Sequence, residues 1–387
     1  MKQICDFSEC SGCGACVGAC PKQCISMVPN AKYGGAIFPR IDADNCINCK
    51  KCISICPNNH PVVRNQPSEC YASWNLNSEE RTTSTSGGIG FAFAKIIIQK
   101  GGVVYGAAVK AAGIVEHIRV TDVKELHKLQ KSKYVHSHVT KLVYQLLSED
   151  KKAGRMILFT GTPCQIAGIK SYLKSYEKLY LVDIICHGVP PQQILKDHIK
   201  WKVQSEVSYF TTRNNEEYCL TLYDANQQIL YQKNFPDDEY EYGFMYAMFF
   251  RPNCYSCKYA SIERCSDVTI GDFWGLKDVN YPKKKVSEIL INTLKGEMLL
   301  AMCRQDLFLE KRSVEEAVAG NAQLKEPTKK NYLYTIFNKL YPYFGYRIAI
   351  NVSYLKFRLM QPIYKIFSKP LCPFPIYNRS FRILLPH

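Results

Sequence analysis

The chain lacks any uninterrupted run of about 18–20 apolar residues, the length that a bilayer-spanning helix needs, although 47% of its 387 residues are hydrophobic. It also begins Met1-Lys-Gln-Ile-Cys, without the apolar segment of a secretory signal. These two absences predict a cytoplasmic protein, whose membrane contact, if any, is peripheral and at the inner face. The length and composition allow about two or three domains with a sizeable core.

Acidic residues are also scarce, because 34 Asp and Glu stand against 50 Lys and Arg and give a formal net charge of +16. Beyond Glu326 the chain contains no acidic residue. Basic proteins attract nucleic acids, anionic lipids or acidic protein partners. Because no known nucleic-acid-binding motif is present, we expect no nucleic acid partner.

Cysteine, in contrast, is abundant, and the first 57 residues carry one cysteine pattern twice. Both runs have the spacing C-x2-C-x2-C-x3-C-P, and the second repeats the first 36 positions later. This is the ligand pattern of bacterial two-cluster ferredoxins, in which the fourth cysteine of each run ligates the other 4Fe-4S cluster. Zinc knuckles or a disulfide framework would not explain the doubled register. The predicted ligands are Cys10, Cys13, Cys16 and Cys56 for the first cluster, and Cys46, Cys49, Cys52 and Cys20 for the second.

Residues 1–60 are therefore predicted to form a two-cluster 4Fe-4S ferredoxin domain, in which each cysteine run opens a short helix. The expected protein partner is an acidic electron carrier, either a ferredoxin or a flavodoxin. Residues 61–80 are interpreted as a linker, because Pro61 and Pro67 interrupt them and no hydrophobic period is sustained.

Residues 81–330 alternate strand-like and helix-like segments, which predicts an α+β or mixed α/β domain. The turn Thr85-Ser-Gly-Gly precedes an apolar helix, and its backbone N–H groups could approach a phosphate. An ordinary capped helix would explain this turn equally well. The basic, hydroxylated and aromatic segment that begins Lys131-Ser-Lys-Tyr is either a solvated loop or a clamp for a phosphate and a flat ring.

Two predicted strands of this domain end in a cysteine followed by a helix start. Cys164 follows the strand at 156–159, and Cys186 follows the strand at 179–185. Parallel α/β sheets bind their ligands at this end of their strands. Together with the pair Cys254 and Cys257, these cysteines predict a third metal site, with Cys265 as a competing fourth ligand. Zinc could fill the site, but the neighbouring ferredoxin pattern favours a third 4Fe-4S cluster.

At this point the motifs resemble those of the coenzyme F420 hydrogenase/dehydrogenase beta subunit family, in a bacterial branch linked to polysaccharide genes. The resemblance covers about residues 1–330. Besides the ferredoxin pattern it rests on motifs that occur in the family's order: Thr85-Ser-Gly-Gly, Lys131-Ser-Lys-Tyr, Gly161-Thr-Pro-Cys-Gln, Cys186-His-Gly-Val-Pro, Cys254-x2-Cys257 and Gly271-Asp-Phe-Trp-Gly.

The resemblance implies an FAD-binding domain with a 4Fe-4S cluster beside the flavin, and it favours Cys186 over Cys265 as a ligand. The flavin contacts that it implies are Thr85, Ser86, Gly87, Gly88, Lys131, Ser132, Lys133, Tyr134, Gly161, Thr162 and Pro163. His136 departs from the family pattern, in which a Gln often follows Tyr-Val, so substrate contacts do not transfer directly.

Three hypotheses for the function follow. The first is a flavin-dependent oxidoreductase that passes electrons through three 4Fe-4S clusters and FAD to a small-molecule or glycan-related substrate. His187, Lys133 and Asp272 are its candidate catalytic residues, although His187 could equally be a buried structural histidine. The second is a non-catalytic electron-transfer subunit of a partner enzyme. The third is a membrane-surface scaffold with a vestigial redox core.

Residues 331–387 are predicted to form a basic, aromatic and helical tail, with eight Lys or Arg and fourteen Phe or Tyr. Between 347 and 367, a helical period places Ile348, Val352, Leu355 and Leu359 on one face. Such a face beside basic residues suits peripheral contact with an anionic membrane. The alternative is that the tail packs on the protein itself or on a partner.

Overall fold

The computed structural model describes residues 3–214 and 217–367, so residues 368–387 of the predicted tail lie outside the described part of the chain. The fold is mixed α/β, as the sequence predicts. The α-helices are α1 Ala15–Gly18, α2 Lys51–Ser54, α3 Ser78–Thr83, α4 Ile89–Gln99, α5 Lys141–Lys152, α6 Pro163–Leu173, α7 Gln192–Lys202, α8 Glu239–Met245, α9 Leu294–Met302, α10 Val314–Gly320 and α11 Tyr332–Phe367. The strands are β1 Ile25–Asn30, β2 Ala36–Ile41, β3 Glu69–Asn75, β4 Val103–Ala111, β5 Ile114–Val120, β6 Ile157–Gly161, β7 Leu179–Ile184, β8 Tyr209–Asn214, β9 Glu217–Tyr223, β10 Ile229–Asn234, β11 Val268–Asp272, β12 Ser287–Ile291 and β13 Leu307–Arg312.

The N-terminal module has a ferredoxin-like arrangement. Strands β1 and β2 pair in antiparallel register, and Gly34 closes the turn between them with a φ of 62°. Helices α1 and α2 lie within the two cysteine runs, as the pattern predicts. The module packs closely on α5, because a Cβ placed on Gly18 would lie 2.6 Å from the ring of Tyr144.

The largest sheet has eight strands in the order β13-β3-β12-β11-β7-β6-β4-β5. Its centre is parallel, since β4 pairs with β6, β6 with β7 and β7 with β11 in parallel register. The remaining neighbours are antiparallel. The carboxyl ends of the parallel strands therefore meet at one edge, the position at which such sheets bind ligands.

Both faces of the parallel strands are buried, and successive residues point to opposite faces. On β4 and β6, Val104 and Leu158 pack beneath α4, whereas Tyr105 and Phe159 pack on the other face against α5 and α6. This burial explains why these strands read as continuous apolar runs.

The interpretation of residues 61–80 as a linker is wrong for Glu69–Asn75, which form β3 inside the large sheet. This strand pairs with β12 and β13, so Ser73 lies opposite both Ser287 and Leu309. Its small and polar residues hide the strand pattern, and its partners lie more than 200 positions away. The other predicted domain boundaries stay predictions.

The tail helix α11 packs one face on the body of the protein. Tyr346, Ile350 and Tyr354 are buried in a core that includes α7 and the three-stranded antiparallel sheet of β8, β9 and β10. The backbone of α11 is interrupted at Gly345, whose φ of 71° and ψ of 178° are not helical. Within the part of the chain that the structure describes, no helix combines the length and the apolar character needed to cross a membrane.

Candidate functional site

The N-terminal cysteines form the two groups that their spacing predicts. The predicted ligands of the second cluster line one small cavity of about 20 Å³: Cys20, Cys46, Cys49 and Cys52. Cys24, which falls outside the ligand spacing, lies in the same wall with its Sγ 3.4 Å from that of Cys20. The donor set is therefore that of a thiolate-ligated cluster.

The first group gathers around Cys16. Burial raises the pKa of Cys16 well above its ordinary value, and the nearby thiols of Cys13, Cys10 and Cys56 raise it further. Cys56, the last cysteine of the second run, thus lies with the first group. Packing several thiols in an interior is unfavourable for their ionisation, and a bound metal relieves this because thiolates are its ligands.

A third group of cysteines converges at the carboxyl edge of the large sheet. Cys164 lies in the first turn of α6, directly after β6, and Cys186 follows β7. Burial raises the pKa of Cys186 well above its ordinary value, and the thiols of Cys254, Cys164 and Cys257 contribute in that order. Four thiols from three separate segments thus face one another, which is the arrangement that a 4Fe-4S cluster requires.

Cys265, the competing ligand, is placed differently. Its thiol is buried and donates a weak hydrogen bond to the Pro163 carbonyl oxygen at 3.4 Å. Burial, and then the Asp183 carboxylate, raise its pKa to about 12, and Cys164 makes a smaller contribution. This geometry favours Cys186 as the fourth member of the group.

The first and third groups lie close together across α6. A Cβ placed on Gly168 would lie 2.9 Å from the Sγ of Cys13. Gly168 is four residues after Cys164, so both lie on one face of α6, about one helical turn apart. The N-terminal module therefore presents its first group to the third one.

A cavity of about 600 Å³ opens at the same edge of the sheet, a size typical of cofactor sites. Its lining includes most of the predicted flavin contacts and all three catalytic candidates: Thr85, Ser86, Gly88, Lys131, Ser132, Lys133, Tyr134, Gly161, Thr162, His187 and Asp272. Cys186 lines it too, so the cavity and the third cysteine group share a wall. Gly87 and Pro163 lie outside the lining, and the Gly87 N–H instead donates to the Ser287 hydroxyl at 2.9 Å.

Lys133 is held by the backbone. Its Nζ donates to the carbonyl oxygens of Gln130 at 2.6 Å and Leu129 at 3.1 Å, at the end of the short 3-10 helix at 123–129. Burial, and then the charge of Lys131, lower the pKa of Lys133 to about 7. These contacts make Lys133 a residue that shapes the loop as well as one that faces the cavity.

His187 and Asp272 lie at another part of the cavity wall. Burial lowers the pKa of His187 to about 4, with Asp272 opposing the shift, so the imidazole is neutral at pH 7. The Asp272 carboxylate accepts from the Arg213 guanidinium at 2.7 Å, and this guanidinium lies 4.8 Å from the centre of the Tyr218 ring. The ring of Tyr134 stacks on Phe244 with centres 4.3 Å apart, so a neighbouring side chain already covers one of its faces.

The comparisons with known protein families bear on both parts of the chain. Residues 9–60 match the 4Fe-4S dicluster domain, and residues 154–317 match the C terminus of the coenzyme F420 hydrogenase/dehydrogenase beta subunit. The chain joins a dicluster domain to the C-terminal domain of this beta-subunit family. It is thus an iron–sulfur electron-transfer oxidoreductase related to that subunit.

One similar solved structure is a chain of the F420-reducing [NiFe] hydrogenase complex from Methanosarcina barkeri. The identity is 15% and the TM-score 0.46, over 77% of this chain and 94% of that one. No protein with a curated description matches the chain.

Sequence reasoning missed several residues of the cavity in this beta-subunit relative. His117 donates from Nε2 to the Thr160 carbonyl oxygen at 3.0 Å, and its Nδ1 accepts from the Ser137 hydroxyl at 3.0 Å. Gln165 on α6 donates to the Ser137 carbonyl oxygen at 2.7 Å, which ties this network to the helix that carries Cys164. The Gly-Thr-Pro-Cys-Gln motif contained the only local signal for it.

Proposed function

We propose that the chain is an iron–sulfur flavoprotein oxidoreductase. It takes electrons from an acidic carrier protein, uses three 4Fe-4S clusters and FAD, and reduces a small-molecule or glycan-related substrate. The observation that supports this proposal best is the shared wall at Cys186, where the third cysteine group meets a cavity of about 600 Å³. When bound, the clusters carry single electrons and FAD exchanges electron pairs or hydride.

The residues of the cavity suit the parts of FAD in different ways. The N-terminus of α4 offers unpaired backbone N–H groups, and Thr85, Ser86 and Ser132 add hydroxyl groups nearby, which suits a diphosphate. The apolar part of the lining suits a flat ring. His187 is a neutral imidazole in the cavity wall, and Arg213 orients Asp272 beside it.

The expected donor surface lies on the N-terminal module around the second cysteine group. Cys49 is exposed there, and so are the neighbouring cations Lys50 and Lys51. Lys22 is also exposed beside Cys20, and Ile47 is 58% exposed. A positive rim around an apolar contact suits an acidic ferredoxin or flavodoxin, because complementary charge steers association.

Anaerobic purification with iron, sulfide and flavin quantified tests the proposal. We expect about twelve irons, about twelve sulfides and about one FAD per chain. About eight irons, or no flavin under conditions that retain the clusters, would contradict it. Turnover of candidate substrates by the isolated chain separates an enzyme from an electron-transfer subunit. Bleaching of bound FAD by reduced ferredoxin separates both from a vestigial scaffold.

A second proposal concerns the tail helix, from which we infer peripheral contact with an anionic membrane. Ile348, Val352, Leu355 and Leu359 are between 47% and 68% exposed, on the side of α11 that faces away from the core. Arg347 is exposed beside them, and no acidic residue follows Glu326. An apolar stripe with basic neighbours is the pattern of an interfacial helix.

Replacing these four residues by serine is expected to reduce flotation with phosphatidylglycerol-containing vesicles more than about tenfold, because the inserted apolar area is lost. The matched control replaces Leu142, Leu294 and Met298, three exposed apolar residues elsewhere, and should float like the wild type. Truncation at residue 330 is a poorer test, since it would remove Leu333 and Phe337 from the core. Equal flotation of stripe variant and wild type, or a stripe variant that loses only self-association, would contradict membrane contact.

A further inference from the structure

Arg251 is a fully buried cation that connects the third cysteine group to the first. Its backbone is hydrogen-bonded to the third group, because the Arg251 carbonyl oxygen accepts from the N–H of Cys254 at 3.0 Å. Its side chain reaches the N-terminal module, where Nη2 donates to the carbonyl oxygens of Cys10 at 3.1 Å and Ile37 at 3.0 Å. One residue thus bonds directly to both groups.

The guanidinium has more donors than these contacts use. Its Nε and Nη1 are buried and have no hydrogen-bond partner among the described residues. No carboxylate of the described chain forms an ion pair with it. Burying a cation with unpaired N–H groups is costly unless an anion accompanies it. Arg251 therefore needs a negative partner, and the carboxylates of the described residues do not provide one.

Cysteine sulfurs are the nearest source of that negative charge. The thiols of Cys10, Cys254, Cys164 and Cys13 are the groups that favour the charged form of Arg251, against the effect of burial. They belong to the predicted first and third clusters and to no other. A 4Fe-4S cluster with four thiolates is an anion whose sulfurs accept hydrogen bonds, and such bonds and nearby charges set its reduction potential.

Gly12 lets the Arg251 guanidinium approach closely, and the imidazole beside Gly12 adds no second charge. Gly12 has a φ of 69°, and a Cβ there would lie 2.9 Å from Nη2 of Arg251, so glycine permits the approach. His136 also borders Gly12, and burial together with Arg251 lowers its pKa well below the ordinary value. The imidazole is therefore neutral and adds no charge beside Arg251.

We propose that Arg251 is a positioning residue that bridges the first and third clusters and raises the reduction potential of both. The inference rests on the proposed third cluster for one of its two ends. Its positive charge stabilises the additional electron of a reduced cluster in a medium of low dielectric constant. Its hydrogen-bond partners and the thiols that favour its charge include none of the predicted ligands of the second cluster: Cys20, Cys46, Cys49 and Cys52.

The test is an anaerobic redox titration of the holoprotein followed by EPR, with Arg251→Met and Arg251→Lys compared with the wild type. Methionine removes the charge at similar length, and we expect two of the three cluster midpoints to become more negative while the third stays unchanged. Lysine retains the charge but not the several N–H donors of the planar guanidinium, so we expect a smaller shift of the same two midpoint potentials.

Unchanged midpoints in both variants with full iron content would overturn the proposal, and so would a uniform shift of all three. If Arg251→Met loses iron, loss of about eight irons with the second cluster retained supports the bridge, whereas loss of every cluster overturns it. Failure of the proposed function is recognised separately, because it appears as about eight irons or no flavin in the wild type itself. The shift of the first cluster can still be measured in that case.

Discussion

Replacing Cys186 by alanine is expected to lower the iron content from about twelve to about eight per chain, because one ligand of the third cluster is lost. The two N-terminal clusters should keep their EPR signals, since their ligands lie in a separate module. Bound flavin should no longer be reduced rapidly by reduced ferredoxin. Iron analysis, EPR and stopped-flow absorbance measure these three effects on one preparation.

Cys265→Ala is the matched control for this variant. Both cysteines approach Cys164, and both pKa values are raised by burial, but Cys265 faces a carbonyl oxygen of the α6 start rather than the other thiols. We expect the control to retain about twelve irons and to lose about 1–2 kcal/mol of stability from the small cavity. If the two variants exchanged these outcomes, the ligand set would be Cys164, Cys254, Cys257 and Cys265.

The parts of the site that could be predicted are those whose signal is local. The cysteine spacing predicts how the N-terminal cysteines group, because a cluster takes three ligands from one short run. Cys164 and Cys186 could be placed near each other because each ends an apolar strand, and parallel strands bring such ends to one edge. The tail stripe follows from helical period alone, and all four of its residues are exposed in the structure.

The parts that could not be predicted depend on contacts across long stretches of sequence. Arg251 donates to the carbonyl oxygen of Cys10 across 241 positions, and no local pattern marks that pairing. Arg213 reaches Asp272 across 59 positions from a different sheet. The strand β3 could not be predicted for the same reason, because its neighbours β12 and β13 come more than 200 residues later in the sequence.

These contacts also suggest why the N-terminal module and the larger domain form one protein. Gly18 lets α1 approach Tyr144, and the Tyr144 hydroxyl donates to the Cys13 carbonyl oxygen at 2.8 Å. Gly168 then lets the Cys13 thiol lie against α6. Close backbone approach at these glycines holds the first cysteine group at a fixed distance from the third, which a flexible linker between two domains would not achieve.

Replacing Gly90 by leucine is expected to prevent flavin binding while leaving the iron–sulfur clusters intact. Gly90 lies in the first turn of α4 and lines the large cavity, and a Cβ there would meet only the Cδ1 of Ile270, at 3.3 Å. The leucine side chain would thus enter open space at the helix terminus that we assign to the diphosphate. The fold should tolerate it, because leucine favours a helix over glycine by about 0.5–1 kcal/mol.

The expected result is about twelve irons with less than about one tenth of the wild-type flavin, because the leucine fills the site that the phosphate and its helix terminus share. Gln99→Leu on the same helix is the control, since Gln99 is exposed and lies outside the cavity lining. It should bind flavin like the wild type. Full flavin occupancy in Gly90→Leu would place the cofactor elsewhere and remove the main argument for a flavin beside Cys186. Loss of flavin in both variants would instead indicate a general weakening of α4.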